Sequence, residues 1–176
     1  MIYRFRAILN TSEEVYRDIE IEADATFEDF HNVVTQAFGF DGQDMASFYI
    51  SNEKWEQLEE IVLFDMGDAE GPVRTMGSTL ISDIIDAENR NLVYIYDFLN
   101  MWTFIVELAD IVAPDPGFSY PHLMYAHGEV PMTAQEPEFV SESLDGDDPY
   151  DDDYDDDEYI PGTNDYEDLD FDENWN

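Results

Sequence analysis

The chain has 176 residues, of which 44 are acidic and 6 basic, with no cysteine and a formal net charge of −38. A field of that sign repels phosphate backbones and anionic lipid, so direct binding to nucleic acid or to a membrane surface is not expected, and basic proteins or cations are the expected partners. The absence of cysteine removes disulfides, thiolate metal sites and thiol nucleophiles, while 44% hydrophobic and 15% aromatic residues supply the core of one ordinary domain.

Residues 2–9 read as a strand, with Tyr3, Phe5, Ala7 and Leu9 on one face and Arg4 and Arg6 on the other. No charged segment followed by an apolar stretch opens the chain, so a signal peptide is not expected and a cytoplasmic setting is. Asn10, Thr11 and Ser12 turn the chain into a second strand at 15–22, where Val15, Ile19 and Ile21 alternate with Asp18, Glu20 and Glu22. A helix follows, with Thr26 as N-cap, Asp29 completing a capping box, Phe27, Phe30, Val34 and Phe38 as a stripe, and Gly39 as the stop.

A third strand is predicted at 47–51. Residues 53–76 give a mixed signal: a short helical or extended piece around Trp55 and Leu58, the apolar run Ile61 to Phe64, then a loop marked by Gly67, Gly71, Pro72 and Gly77. Ser78 or Thr79 begins a short predicted helix that turns Leu80, Ile81, Ile84 and Ile85 inward. Residues 91–98 are apolar on both faces, as in a central strand, and 102–108 form its partner across the hairpin loop 99–101. Residues 117–135 read as an irregular extension that packs back onto the sheet.

The fold expected is α+β: a mostly antiparallel, mixed sheet with two or three helices on one face, in the order ββα-β-α-ββ. It occupies residues 1–135, and a disordered polyacidic tail occupies 136–176. From Glu136 onward there are 19 acidic residues and no Lys or Arg, leaving 25 acidic and all 6 basic residues in the domain. The run Asp151 to Glu158 cannot bury enough apolar surface to offset an ordering entropy of roughly 1–2 kcal/mol per residue.

Three stretches, in order, carry a resemblance to a known family: Ala23 to His31, Gly39-Phe40-Asp41, and Tyr94-Ile95-Tyr96-Asp97-Phe98 with Trp102, with an echo at Tyr120-Pro121 and Gly128-Glu129-Val130-Pro131. Over about residues 1–131 the chain resembles the Ri-plasmid ORF-3-like family, the insertion-element passenger proteins of the TnpR type. The resemblance implies a compact α+β domain built around the Tyr-Asp-Phe strand and a mobile-element gene neighbourhood, without implying a reaction. Family members usually follow Tyr-Asp-Phe with Gly-Asp, then Trp and a nearby His. Here those places hold Leu99, Asn100, Trp102 and Phe104.

Candidate binding residues are Arg17, His31, Asp97 and Trp102. Asp97 alternates with Val93 and Ile95, and a carboxylate on a buried strand must be paired or hydrogen-bonded. Arg17 is its natural partner, a cap on the 99–101 turn is the other structural role, and a pocket carboxylate is the functional one. His31 lies at the edge of the helix stripe, where a hydrogen bond to a carboxylate competes with a binding role. Trp102 reads as a core anchor.

Three histidines without cysteine make a structural zinc site improbable, no calcium-loop spacing is present, and no phosphate-binding or nucleophile motif is found, so no catalytic residue, metal or cofactor is assigned. Tyr150, Tyr154 and Tyr159 sit among the acidic residues of the tail as candidate contacts to a basic, partly apolar surface. Three readings follow, leaving the oligomeric state open: a non-enzymatic protein-interaction module, a DNA-mimic regulator of a nucleic-acid enzyme, and a small-molecule or catalytic pocket near Asp97.

Overall fold

The computed structural model describes residues 1–68 and 70–134. Eight strands form one sheet: β1 Ile2–Leu9, β2 Val15–Glu22, β3 Ala46–Ser51, β4 Gln57–Val62, β5 Arg74–Thr75, β6 Asn91–Tyr96, β7 Trp102–Val112 and β8 His122–His127. Their spatial order is β5-β4-β3-β6-β7-β1-β2-β8. Every neighbouring pair is antiparallel except β4 and β5.

The single helix among the described residues, α1 (Phe27–Phe38), begins where the capping box predicts. The Asp29 N–H donates to Thr26 Oγ1 at 3.1 Å, and the Thr26 N–H donates to Asp29 Oδ2 at 2.9 Å. Gly39 ends it in the left-handed region at φ 80°, where a side chain would be strained. The helix lays Phe27, Phe30, Val34 and Phe38 on one face of the sheet, and Phe5, Phe48, Tyr94 and Phe104 meet them from β1, β3, β6 and β7. Ring centroids lie 4.6 Å apart for Phe5–Phe30, 5.4 Å for Phe30–Phe48 and 4.5 Å for Phe48–Tyr94. Burying side chains of this size contributes roughly 1.5–3 kcal/mol each.

The expectation of two or three helices is overturned: the described residues form a predominantly β molecule with one helix and two short 3₁₀ turns, Met76–Ser78 and Ile81–Asp83. In the predicted second helix the backbone groups of 79–82 are drawn across to 23–27, leaving only a short turn along the segment, where Ile84 N–H and Ile85 N–H donate to the Ile81 carbonyl. The Thr79 carbonyl accepts from Phe27 N–H at 3.0 Å, Ile81 N–H donates to the Ala25 carbonyl at 2.9 Å, and Ser82 N–H donates to the Ala23 carbonyl at 2.9 Å. Leu80 is extended and bridges Thr26. A run this short also has little with which to offset the cost of helix nucleation.

Strands β4, β5 and β8, absent from the predicted order, extend the sheet on both sides. The residues from 135 onward, which hold the whole of the expected disordered tail, lie outside the described residues.

Candidate functional site

Strand register gathers five loops at one end of the sheet. Ala46 of β3 lies opposite Tyr96 of β6, Tyr96 opposite Trp102 of β7, and Leu9 of β1 opposite both Phe104 and Val15. Tyr16 pairs with His127, so the residues after β8 emerge at the same end. Backbone hydrogen bonds tie the loops together: Asp97 N–H to the Met45 carbonyl at 2.8 Å, Leu63 N–H to the Ala46 carbonyl at 3.1 Å, and Asn10 N–H to the Thr103 carbonyl at 2.9 Å.

This end is acidic and apolar together. Asp41 and Asp44 come from the α1–β3 loop, Asp65 and Asp68 from the segment after β4, Asp97 from the β6–β7 turn, and Glu13 and Glu14 from the β1–β2 turn. None of the six basic residues lies in these loops. Between the carboxylates stand Phe64, Phe98 and Met101, all exposed, with Met66 at 70% exposure and Leu99 at 95%. Single exposed apolar residues are ordinary, but five on two loops at one end of the sheet are a concentration of the kind used for protein contact.

Two stretches of the family resemblance converge beneath this end. The Phe40 ring packs 5.0 Å from both Tyr96 and Trp102, and the Tyr96 hydroxyl donates to Asp41 Oδ1 at 2.9 Å. Burial and the adjacent Asp41 carboxylate push the Tyr96 hydroxyl up to about 12. The backbone N–H of Gln43 and the Tyr96 hydroxyl hold Asp41 below the usual carboxylate range.

The predicted site residues are dispersed through this framework. Asp97 lies one residue beyond β6 in the left-handed region at φ 58°, and its side chain accepts from the backbone N–H of Leu99 at 3.1 Å and from the Asn100 amide. It is therefore the cap of the 99–101 turn, not the partner of Arg17. The Asn100 amide keeps its carboxyl below the ordinary range.

Arg17 gives its guanidinium to four backbone carbonyls: Ala37 at 2.9 Å, Tyr16 at 2.8 Å, His127 at 2.7 Å and Gly128 at 3.3 Å. It also stacks over Phe38 at 4.8 Å. It clasps α1 and β8 to β2, and burial lowers its pKa. His31 is buried at 2% exposure, with Nδ1 2.6 Å from the Tyr94 hydroxyl, so its partner is a phenol and not a carboxylate. Burial pushes its pKa down to about 4. Trp102 is a core anchor. Tyr150, Tyr154 and Tyr159 lie outside the described residues.

Three grooves open elsewhere. One of about 470 Å3 runs between α1 and the end of β2, past Asp29, Val33 and Pro121. One of about 350 Å3 lies on the helix-free face over Arg4, Arg6 and Met124. One of about 320 Å3 surrounds Arg90. None of these three is lined by Arg17, His31, Asp97 or Trp102. Among the described residues no group of three or more His, Asp or Glu is placed to hold a metal ion, and no helix is long and apolar enough to cross a membrane.

The exposed apolar tips carry little local signature in the sequence. Phe98 reads there as the end of a buried strand and Phe64 as the end of an apolar run; the signal that marks them is an apolar residue beside a carboxylate inside a turn.

Comparison with known proteins gives three findings. The family profile described as plasmid pRiA4b ORF-3-like protein matches residues 1–174, well past the 1–131 spanned by the resemblance. No curated protein matches the chain. Among solved structures, the crystal structure of a protein of unknown function from Methanosarcina mazei Go1 is similar at 25% identity, covering 71% of this chain and 68% of that one, with a TM-score of 0.63.

Proposed function

The chain belongs to the plasmid pRiA4b ORF-3-like protein family, and from that premise we propose that it is a non-enzymatic protein-interaction module whose contact surface is the acidic, apolar-tipped loop end of the sheet. The observation that carries this reading is the coincidence of Phe64, Met66, Phe98, Leu99 and Met101, all exposed, with carboxylates on the same loops and no Lys or Arg among them. Apolar tips supply area removed from water, and the surrounding charge supplies orientation and a fast encounter. The partner that fits is a basic protein surface carrying apolar pockets, met in the cytoplasm.

Position 99 sharpens the idea. Where relatives usually carry Gly-Asp after the Tyr-Asp-Phe strand, this chain presents Leu99 and Asn100 at the tip of the turn, which points to a partner particular to this chain.

A DNA-mimic role shares the basic partner but needs carboxylates, not apolar tips, to carry the contact. Proximity labelling in the native cell with the wild-type chain and with Leu99→Asp/Met66→Asp separates the readings. The module reading expects Lys- and Arg-rich partners that disappear in the double variant while thermal stability stays unchanged. An identical partner set for both chains would sink it, and partners displaced by duplex DNA yet retained by the variant would favour the mimic.

A further inference from the structure

The outer strands of the sheet are β5 and β8. A strand paired on one side leaves alternate N–H and carbonyl groups on its other side without a strand partner. β5 has two residues, and the stretch of β4 that it leaves uncovered carries Glu59 and Glu60. Both are already engaged: Glu59 with Arg74 at 2.7 Å, and Glu60 with Ser47 Oγ at 2.7 Å and the Tyr49 hydroxyl at 3.0 Å. β8 differs. It has six residues, and among the described residues it pairs with β2 alone.

β8 is held as a strand before anything meets its outer side. The Arg17 guanidinium donates to the carbonyls of His127 and Gly128, and Glu20 Oε2 lies 3.2 Å from His122 Nδ1, so both ends are tied to β2. A template ordered in advance lowers the entropy cost of adding a strand to it. Leu123, Met124 and Tyr125 are half-exposed along it, and Phe118, half-exposed as well, stacks on His122 at 4.8 Å. Each face of the sheet also offers a recess beside this strand. Met124 walls the groove of about 350 Å3 on the helix-free face, and Pro121, the residue before β8, walls the groove of about 470 Å3 beside α1.

Charge restricts the occupant. From 116 to 128 there is no acidic residue, whereas residues 1–135 carry 25 acidic against 6 basic. Pairing along β8 therefore strips water from no carboxylate of the strand, while the surrounding field draws in positive charge. A second copy brings the same −38 and is repelled. We propose that the outer edge of β8 takes an extended, Lys- or Arg-rich segment of another protein as a further strand of the sheet. Backbone hydrogen bonds supply the affinity, and alternate side chains of the added strand fall towards the two faces, where the recesses lie. This edge is a surface distinct from the loop end, and the inference does not rest on that reading.

The test uses the full chain and a peptide of alternating lysine and valine, about eight residues long so that it spans β8 at roughly 3.3 Å per residue. The expected result is saturable binding, with amide exchange at 122–127 slowed at least tenfold and exchange at 97–101 unchanged. Two further peptides carry N-methyl groups on one or the other alternate set of amides, keeping length and charge. One should bind at least tenfold more weakly and the other as well as the parent, because only one side of the added strand faces β8. Leu99→Asp/Met66→Asp should bind the parent peptide unchanged, which keeps this edge separate from the loop end. Because the methylated peptides probe the unaltered chain, no variant has to fold for the main result. The proposal is overturned if the peptide does not saturate at millimolar concentration, or if both methylated forms bind equally, as charge attraction alone predicts. It is also overturned if exchange at 122–127 is already as slow as in β6 without peptide, which places a second copy or another occupant on the edge.

Discussion

His31 couples folding to pH through a single proton. Its folded pKa of about 4 lies below the ordinary 6.5, so the unfolded chain takes up the proton first. The neutral, buried form has its full stability above pH 6.5 and loses it as the pH falls towards 4. For the 2% exposed ring the loss is on the order of 3 kcal/mol. Urea unfolding at pH 7 and pH 4.5 should show a larger drop for the wild-type chain than for His31→Gln, and equal drops would contradict the assignment. At Arg17 the expectation is about steric and hydrogen-bond loss, not charge. Arg17→Met removes the donor from four carbonyls and should cost about 2–4 kcal/mol, read as a lower denaturation midpoint. Arg17→Lys should recover less than half of it, because an ammonium cannot fork across carbonyls that converge from β2, α1 and β8.

Among the elements, β8 depends on few attachments. Among the described residues it pairs only with β2, interrupted by a bulge between Asp18 and Ile19, and Arg17 holds its far end. Gly128 follows immediately at φ 73°, and a Cβ there would meet the Glu14 carbonyl oxygen at 2.3 Å and Val15 Cγ2 at 3.0 Å. Gly128→Ala should therefore cost on the order of 2–4 kcal/mol and raise amide exchange across 122–127 more than across β6. The same strand explains what was legible in the sequence. The β1–β2 hairpin alternates cleanly and α1 carries both its caps, so local chemistry announces them. In β8, by contrast, five of six residues are exposed, and in β4 four of six are, so neither shows a buried face. Their strand state comes from pairing with β2 and β3, a long-range cause that no local pattern records. At the candidate site the roles assigned to Trp102 and to the capping alternative for Asp97 were readable, since a core aromatic and a turn carboxylate have local signatures. The proposed Arg17–Asp97 pair was not, because the bends that carry Asp97 out of β6 and Gly128 over β2 decide which groups Arg17 meets.

Across the whole molecule, charge of one sign prevails. With 25 acidic residues against 6 basic ones in residues 1–135, the folded domain repels itself, and its few ion pairs, such as Arg6–Asp18 at 2.7 Å and Arg4–Glu20 at 2.8 Å, offset only a small part. Raising sodium chloride from about 0.02 M to about 0.5 M shortens the screening length from roughly 20 Å to roughly 4 Å and should raise the thermal midpoint. A midpoint that falls with salt would mean that attractive pairs outweigh the repulsion.

That repulsion also bears on the free edge of β8. From 116 to 128 the chain carries no acidic residue, while Leu123, Met124 and Tyr125 are half-exposed along a strand paired on one side only among the described residues. Edge strands are commonly guarded by a local charge or a proline within the strand; this one is guarded at long range by the charge of the rest of the molecule. Colloidal stability is then a property of the carboxylates as a population: as acid neutralises them, copies can approach edge to edge, and the first intermolecular pairing should involve residues 122–127.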